Sequence, residues 1–404
     1  MTTAGRQIAF INLAHFFCHY SLLILPTAVL AMAYQGSAFG AEYGPILALA
    51  TTMFVLYGLF SLPQGWIAAR IGRPRLIAIF YLGTGAAMAV TGLSHNPAVL
   101  AATLAATGFF AAIYHPIGTA MLVEASGDRV GRAMGLNGVC GNLGVALAPV
   151  ITAFLASHAG WQSAFLLPGL ACMAAGLVWT RLRQPELGHG RSTRPFPDIP
   201  REVVRRAVIA LLLIAAVSGL LFNAFTLLLP KLMQERLASD PSLLPLVGAA
   251  AFVATLCGGL TQITVGRLID RATLRSVFLP MGVVLAPAML ALAYVQGILV
   301  LPVAGVVAAV LFGQVTVNET MTARFIAPEL RTRMYSIRFF VGFLGSAASA
   351  PLIGRLHEAT GTLAASVLVL AAFSLIMLLC ALIVPHRAEE LHPEQWQSAP
   401  APAE

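Results

Sequence analysis

The residues of this chain that could do chemistry are a few polar side chains inside long apolar runs. Asn12, His15 and His19 share one run, at spacings of three and four residues, which place all three on one face of a helix. His115 lies in a later run and Glu319 in another. Such residues are costly to bury in a membrane-length apolar run, so they indicate function.

The candidate cavity residues belong to five of the apolar runs. They are Asn12, His15, His19, Tyr114, His115, Asn223, Gln314, Asn318, Glu319 and Arg338. Histidine changes its charge near neutral pH, and a carboxyl group in a low-dielectric setting readily holds a proton, so both suit proton coupling. Each histidine is alternatively an interhelical hydrogen-bond partner. Glu319 is alternatively the ion-pair partner of Arg338 or Arg324.

The elements that position these residues follow from composition. Of the 404 residues, 58% are apolar and only 10% are charged, whereas a soluble domain is about 25% charged. Soluble, disordered and disulfide-framework proteins are therefore excluded. Twelve apolar runs of about 19 to 27 residues lie between residues 8 and 384, each long enough to cross about 30 Å of hydrocarbon as a helix. Unbroken runs are not typical of a membrane barrel.

The distribution of basic residues predicts the orientation in the membrane. With a cytoplasmic N-terminus, 21 of the 24 Lys and Arg residues fall on the cytoplasmic side and three on the other. This asymmetry is the positive-inside rule, which predicts a multi-pass protein of the inner (plasma) membrane with both termini cytoplasmic. The net charge of +8 is therefore a topology signal, and no nucleic-acid partner is expected.

The two halves of the chain repeat. LLILP, ending at Pro26, matches TLLLP, ending at Pro230, at an offset of 204 residues, and GWIAAR matches GRLIDR at an offset of 201. Repetition at nearly one offset predicts two pseudo-symmetric six-helix bundles. The predicted boundaries are 1–183 for the first bundle, 184–206 for a cytoplasmic linker, 207–387 for the second bundle and 388–404 for a disordered tail.

The loop GWIAARIGRPR (65–75) resembles the G-x-x-x-D-R-x-G-R-R/K signature of the major facilitator superfamily, with Ala69 at the position of the Asp. GRLIDRATLR (266–275) is a second, partial copy. The resemblance implies two six-helix bundles around a central cavity lined by spans one, four, seven and ten, with these loops acting as a cytoplasmic gate. The alternative is that their arginines only anchor the topology. The gate residues are Gly65, Arg70, Gly72, Arg73, Asp270 and Arg271.

A second resemblance is to the fosmidomycin-resistance branch of that superfamily, which exports drugs. It rests on SLPQG, AAIYHPIGTAM and GRAMGLNGVCGNLGVALAP, with His15 and the His115-Pro116 pair at the positions of the branch's histidines. The neighbouring acidic residues of the branch are absent, because His19 and Ile117 stand here instead. Coupling through those carboxylates therefore does not transfer to this chain.

Small residues recur along the fifth span. They resemble the glycine-rich motif of exporters in the superfamily, which implies antiport, but small residues also allow ordinary close packing of helices. Both interpretations stay open. The residues are Gly135, Gly138, Gly141, Gly144 and the Ala148-Pro149 pair.

The predicted function is secondary active transport of a small organic solute or drug by alternating access, proton-coupled and with efflux favoured, by a monomer in the lipid bilayer. One alternative is a proton-coupled importer or a uniporter, including one for a metal ion or metal chelate, since His15, Cys18 and His19 offer metal-ligand atoms. Another is a non-transporting receptor or assembly factor on the same scaffold. Enzyme and P-loop motifs are absent from the sequence, and no cofactor or resident metal is predicted.

Overall fold

The computed structural model describes residues 3–34, 39, 42–126, 130–182, 198–237, 243–269 and 271–386. Across these ranges the chain is helical and forms no strand. Twelve helical segments are long and apolar enough to cross a membrane. The predicted all-α membrane architecture is therefore confirmed.

The described residues of the first half form ten helices, because several of its membrane spans are interrupted. The helices are Thr3–Leu22 (α1), Leu25–Tyr34 (α2), Tyr43–Ala48 (α3), Ala50–Ser61 (α4), Gln64–Ile71 (α5), Arg73–Thr91 (α6), Pro97–Ala111 (α7), Tyr114–Ser126 (α8), Val130–Ala159 (α9) and Trp161–Arg181 (α10).

The part of the second half that the structure describes forms seven α-helices and a short 3₁₀ turn at Gly297–Leu299. The helices are Arg201–Leu237 (α11), Leu244–Ile269 (α12), Leu274–Tyr294 (α13), Val300–Phe325 (α14), Pro328–Ala347 (α15), Ser349–Thr360 (α16) and Ala364–Ile383 (α17). α11 begins six residues before the apolar run that starts at 207, inside the range predicted as linker. Pro200 directly before the helix and Glu202 in its first turn both favour an N-terminus there. The predicted domain boundaries stay a prediction.

Two breaks in the first half are each followed by a proline. A proline lacks an N–H group and clashes with the carbonyl four residues before it, which interrupts a helix. Pro26 follows the break between α1 and α2, and Pro116 follows the break between α7 and α8. The second break leaves Tyr114 and His115 at the start of α8. Irregular backbone at membrane depth is tolerated where it is buried in protein or lines a cavity.

The two halves pack against each other through equivalent helices. α3 and α4 contact α16 and α15, while α9 contacts α12. A Cβ atom on Gly44 would lie 2.7 Å from the carbonyl oxygen of Gly354, and one on Gly248 would lie 2.7 Å from that of Pro149. Gly44 and Gly248 are 204 residues apart, so the same position of each repeat makes the backbone contact. This agrees with the predicted internal repeat.

The halves approach closely toward one end of the bundle. We call the end that holds Gly72, Arg181 and Arg201 the linker end, and the end that holds Gly160 and Gly361 the far end. The Gly44 and Gly248 contacts lie toward the far end. At the linker end, Gly65, Gly72 and Gly135 have no described atom within 4 Å of an added Cβ.

The outer surface of the helices is apolar. Exposed side chains include Leu59, Phe154, Leu260 and Leu379, each more than 40% accessible. Apolar side chains on the outside of long helices are suited to contact with lipid, because backbone polar groups are satisfied within each helix.

Candidate functional site

Three histidines from two spans form a compact group that we call the imidazole triad: His15, His19 and His115. One ring nitrogen from each lies within 4.8 Å of the others. His15 and His19 contribute from successive turns of α1, and their Nε2 atoms are 3.1 Å apart. His115 contributes from the start of α8, with its ring centroid 5.3 Å from each of the other two. Residues 100 apart in sequence therefore converge, and their role in a transport cavity stays a prediction.

α9 fixes the position and the tautomer of His15. Its Nδ1 lies 2.7 Å from the carbonyl oxygen of Asn137. A carbonyl only accepts, so Nδ1 carries the proton and Nε2 of the neutral ring keeps its lone pair, which can accept from His19. A Cβ on Gly141 would lie 2.6 to 2.9 Å from three ring atoms of His15. The imidazole therefore occupies space that only glycine leaves open.

The Asn137 side chain ties the triad to two further predicted cavity residues. Its Nδ2 donates to Oδ1 of Asn12 at 2.9 Å and to the hydroxyl of Tyr114 at 2.7 Å. The Tyr114 ring in turn stacks on His15, with centroids 4.8 Å apart. All four side chains are buried. The first half thus holds its polar centre through a neutral hydrogen-bond network.

Cys18 does not join the triad. Its Sγ atom lies 3.2 Å from the hydroxyl of Tyr57 and donates to the carbonyl oxygen of Ala111 at 3.8 Å. The metal-ligand set suggested by the sequence, which paired Cys18 with two histidines of the same helix, is therefore changed: the third group beside His15 and His19 is His115.

Aromatic side chains of the second half face the triad. The Phe339 ring stacks on His115 with centroids 5.1 Å apart, and Phe343 lies 4.2 Å from Tyr57, centroid to centroid. The guanidinium carbon of Arg338 is 4.8 Å from the Phe339 ring. Phe339 therefore contacts both the triad in the first half and a buried cation in the second.

Arg338 forms an ion pair with Glu319, joining α15 to α14. The Arg338 side chain is only 7% exposed, while that of Glu319 is 36% exposed. Of the two arginines considered as partners, Arg324 instead donates to the carbonyl oxygen of Ile269 at 2.7 Å. Because Arg338 is the more buried partner, it depends on Glu319 for charge compensation.

Three amide side chains of the second half are also buried, and they differ in their partners. Asn223 donates to the carbonyl oxygen of Ser346 at 3.0 Å. Gln314 has neither its nitrogen nor its oxygen paired among the described residues, and Oδ1 of Asn318 likewise has no described partner. Unpaired buried amides cost free energy, so these groups suit a polar ligand or ordered water between the halves.

The predicted gate residues lie at the linker end. Arg70 places its guanidinium carbon 3.7 Å above the Trp66 ring, and both side chains are exposed. Gly72 has a φ of +86°, a left-handed conformation that favours glycine. Arg271 is exposed, and Asp270 lies outside the described residues. Gly65 and Arg73 flank this turn, and the gating role stays a prediction.

The sequence alone missed several residues that build the site. Asn137 and Gly141 position His15, while Tyr57, Phe339 and Phe343 surround the triad from other spans. Gly141 is part of the small-residue series of the fifth span, which was the available signal. At the far end, the sequence also missed Glu235, which lies 3.2 Å from His357.

Comparison with known proteins gives one family match. The family model of the Major Facilitator Superfamily matches residues 9–259 and 211–404, which together cover almost the whole chain.

Curated relatives match over shorter stretches. A probable hexose phosphate transport protein of Chlamydia pneumoniae is 24% identical over 156 residues, 38% of this chain and 32% of that protein. The membrane sensor protein UhpC of Salmonella typhimurium is 28% identical over 34% of this chain and 32% of that protein. The tetracenomycin C resistance and export protein of Streptomyces glaucescens is 29% identical over 33% of this chain and 24% of that protein. The chain thus spans about a third or less of each relative.

Solved structures match over the full length. A bacterial homologue of the human lysosomal transporter Spinster, in an inward-facing and unoccupied conformation, has a TM-score of 0.66 at 14% identity, covering 98% of this chain and 99% of that chain. Such a homologue in an inward-facing and occupied conformation has a TM-score of 0.64 at 15% identity, covering 93% of each chain. These likenesses show the fold. The fosmidomycin-resistance branch is not among these matches, and that resemblance stays a prediction.

Proposed function

This chain belongs to the major facilitator superfamily, and from that premise we propose that it is a proton-coupled secondary transporter of a small organic solute or drug, working in the direction of efflux. The observation that carries the proposal is the connection across the interface between the halves. The imidazole triad in the first half contacts Phe339, which contacts the Arg338–Glu319 pair in the second.

Alternating access gives this connection a role. The halves contact each other closely toward the far end, and the solved structures of similar fold are inward-facing, so we propose that a solute reaches the triad from the linker end. Closure at that end would bring the gate loops together and open the far end. Arg338, Glu319 and His115 sit where the two halves move relative to each other, so a solute there contacts both halves.

Proton coupling is a consequence of the charges at this interface. A proton on Glu319 would remove the counter-charge of Arg338, whose guanidinium would then be available to an anionic group of the solute. A proton on His115 would place a second positive charge near Arg338 and would be opposed unless Glu319 is ionised. A cationic group of the solute would instead compete with the proton for the Glu319 carboxylate, and such competition is the requirement for exchange.

The direction of transport rests on likeness. The export protein of Streptomyces glaucescens and the branch resemblance support efflux, whereas the hexose phosphate transport protein leaves uptake as the alternative. The arginine distribution supports an inner-membrane protein with both termini cytoplasmic, acting as a monomer. Reporter fusions at residue 404 and in the 92–96 loop would test that orientation: the first should report from the cytoplasm and the second from outside.

A second candidate function is a non-transporting membrane receptor. The observation that favours it is the 28% identity to a membrane sensor protein. A receptor would bind its ligand at the same site without net flux across the membrane. The two functions are therefore separated by transport and not by binding.

The decisive experiment has two stages. A thermal-shift screen of a compound library against the purified protein identifies a stabilising ligand, and proteoliposomes with an imposed pH gradient then test its flux. We expect gradient-driven flux that Glu319→Gln and His19→Ala abolish. His158→Ala, which replaces an exposed histidine at the end of α9, should retain it. Flux that is equally fast without the gradient would refute proton coupling, and ligand binding without any flux would favour the receptor.

A further inference from the structure

We infer that the imidazole triad binds a divalent late first-row metal ion, such as Zn²⁺ or Co²⁺, and that this ion is part of the cargo. The statement that the ion is cargo rests on the proposed function, whereas binding of the ion is measured without transport. It names the class of solute that the site between the halves recognises.

The distances fit ligands of one ion. Two nitrogen atoms bound to one tetrahedral zinc are about 3.3 Å apart, given a Zn–N bond of about 2.05 Å. Nε2 of His15 and Nε2 of His19 are 3.1 Å apart, and all three ligand nitrogens lie within 4.8 Å of one another. A shift of about 1.5 Å by the His115 ring would complete three ligands. Rotation of one side chain achieves such a shift.

The surroundings of His15 are those of a metal ligand. A histidine that binds a metal almost always donates its other ring N–H to a carbonyl or carboxylate, which fixes the ring and raises the basicity of the ligand atom. The Nδ1 of His15 makes this hydrogen bond to Asn137 at 2.7 Å. Nε2 of His15 thus keeps a lone pair, which accepts from His19 Nε2 without metal and which a metal ion would take once the His19 proton is on Nδ1. Neither ring nitrogen of His115 has a hydrogen-bond partner among the described residues, so it is available as a ligand.

The donor set selects the metal. Imidazole nitrogen suits Zn²⁺, Co²⁺, Ni²⁺ and Cu²⁺, whereas Mg²⁺ and Ca²⁺ take oxygen ligands. Three histidines leave a fourth tetrahedral position open. A closed structural site would fill that position with protein, so an open one is suited to an ion that arrives and leaves.

The charges nearby bear on what fills the fourth position. The triad contributes no negative charge, and the Arg338–Glu319 pair is neutral overall. A divalent ion in this low-dielectric interior therefore needs an anionic ligand to reduce its charge. That anion is either a small inorganic ion accompanying the free metal or the carboxylate of an organic chelator, whose remaining charge Arg338 can face.

The test is a Co²⁺ titration of the detergent-purified protein without a polyhistidine tag, followed by visible absorption. We expect the strong bands of tetrahedral Co²⁺ and their loss when Zn²⁺, which binds such sites more tightly, is added. His115→Gln and His19→Asn should each weaken Co²⁺ binding at least tenfold, and the double variant should abolish the bands. His158→Gln should bind like the unaltered protein. Thermal unfolding without metal checks that each variant is folded.

A second arm of the titration uses Co²⁺ with nitrilotriacetate. A changed spectrum that still depends on His115 identifies a metal chelate as the ligand, and a spectrum found only with CoCl₂ identifies the free ion. Bands that persist in the double variant, or only octahedral absorption in the unaltered protein, would overturn the inference. If the unaltered protein binds Co²⁺ but shows no gradient-driven flux, the proposed function is contradicted and the metal-binding inference is not.

Discussion

The two halves of the molecule join equivalent pairs of spans through different polar interactions. In the first half, Tyr114 and Asn137 connect the fourth and fifth spans through a neutral hydrogen bond. In the second half, Glu319 and Arg338 connect the tenth and eleventh spans through an ion pair. The 204-residue offset of the repeat places His115 opposite Glu319. One half thus presents a cluster of imidazoles held by neutral hydrogen bonds, and the other presents paired charges.

The backbones of the two halves differ at the same places. The first and fourth spans are broken, at 23–24 and 112–113, where their histidines gather. The corresponding seventh and tenth spans, α11 and α14, run without interruption. A break frees backbone groups and lets side chains of successive turns converge. The two halves therefore share their helix packing and differ in the polar groups at their centres.

The largest expected effect breaks the ion pair of the second half. Glu319→Gln keeps the size of the side chain but leaves Arg338 buried without a counter-charge. We expect a loss of about 3 kcal/mol in the free energy of unfolding, at the low end for one partner of a buried pair, because the carboxylate is 36% exposed. Thermal unfolding in detergent measures it as a lowered Tm.

The control is the exposed pair of Glu202 and Arg205, whose side chains are 87% and 72% accessible. Glu202→Gln should change the free energy of unfolding by less than about 0.5 kcal/mol. The double variant Glu319→Gln, Arg338→Gln should recover part of the loss, since it leaves no unpaired charge. Equal Tm values for Glu319→Gln and Glu202→Gln would show that the Arg338–Glu319 pair stabilises the protein no more than an exposed ion pair does.

The second prediction concerns the glycine beside the triad. Gly141→Ala places a methyl group 2.6 to 2.9 Å from three His15 ring atoms, so the ring must leave its hydrogen bond to Asn137. We expect a loss of about 2 kcal/mol in stability and weaker Co²⁺ binding. Gly138→Ala is the matched control on the same helix, because its nearest atom is 3.8 Å away.

The control should be neutral or slightly stabilising, since alanine is the better helix former by up to about 1 kcal/mol. Helix propensity does not explain a loss of stability in Gly138→Ala. If this control loses as much stability as Gly141→Ala, the loss does not depend on contact with the His15 ring. The interpretation that Gly141 leaves open the space occupied by the His15 ring would then be wrong.

Much of this fold follows from sequence, because a membrane makes every buried charge costly. Twelve apolar runs are enough to predict twelve spans, and the rarity of polar residues within them identifies the histidines, Glu319 and Arg338. The repeat could be read from matches such as Pro26 with Pro230. Each of these signals is local or periodic, so a single sequence carries it.

The parts that escaped prediction depend on contacts between distant segments. The carbonyl oxygen of Asn137 fixes His15 across 122 residues, and any residue type supplies a carbonyl. Phe339 looks like any lipid-facing aromatic in the sequence, although it stacks on His115. The break before Tyr114 was also missed, because a proline within an apolar run is equally compatible with a kink.

The third prediction concerns two equivalent backbone contacts, at which the halves should behave alike. Gly44 and Gly248 occupy equivalent positions, and an alanine at either would meet a backbone carbonyl at 2.7 Å. Backbone cannot rotate away as a side chain can, so each substitution should disfavour closure of the far end by about 1.5 kcal/mol, roughly tenfold in the equilibrium.

Spin labels at the exposed positions Glu42 and Thr360 measure this opening as a longer distance across the far end. Cys257 and Cys140, the native cysteines that are not buried, are first replaced by serine. Gly138→Ala is the control, because the nearest atom to an added Cβ there is 3.8 Å away. If Gly44→Ala lengthens the distance across the far end and Gly248→Ala does not, the two equivalent contacts do not both stabilise the closed far end.

The smallest effect is expected for the neutral bond of the first half. Tyr114→Phe removes the hydroxyl that accepts from Asn137 but keeps the ring that stacks on His15. A neutral hydrogen bond contributes about 1 kcal/mol, so the loss in stability should be about a third of that for Glu319→Gln. Tyr294→Phe, at a tyrosine that is 66% exposed, should have no effect. A loss as large as that of the ion pair would mean that the neutral network is as strongly coupled as the charged one, and the contrast between the two halves would then lie in their ligands and not in their stability.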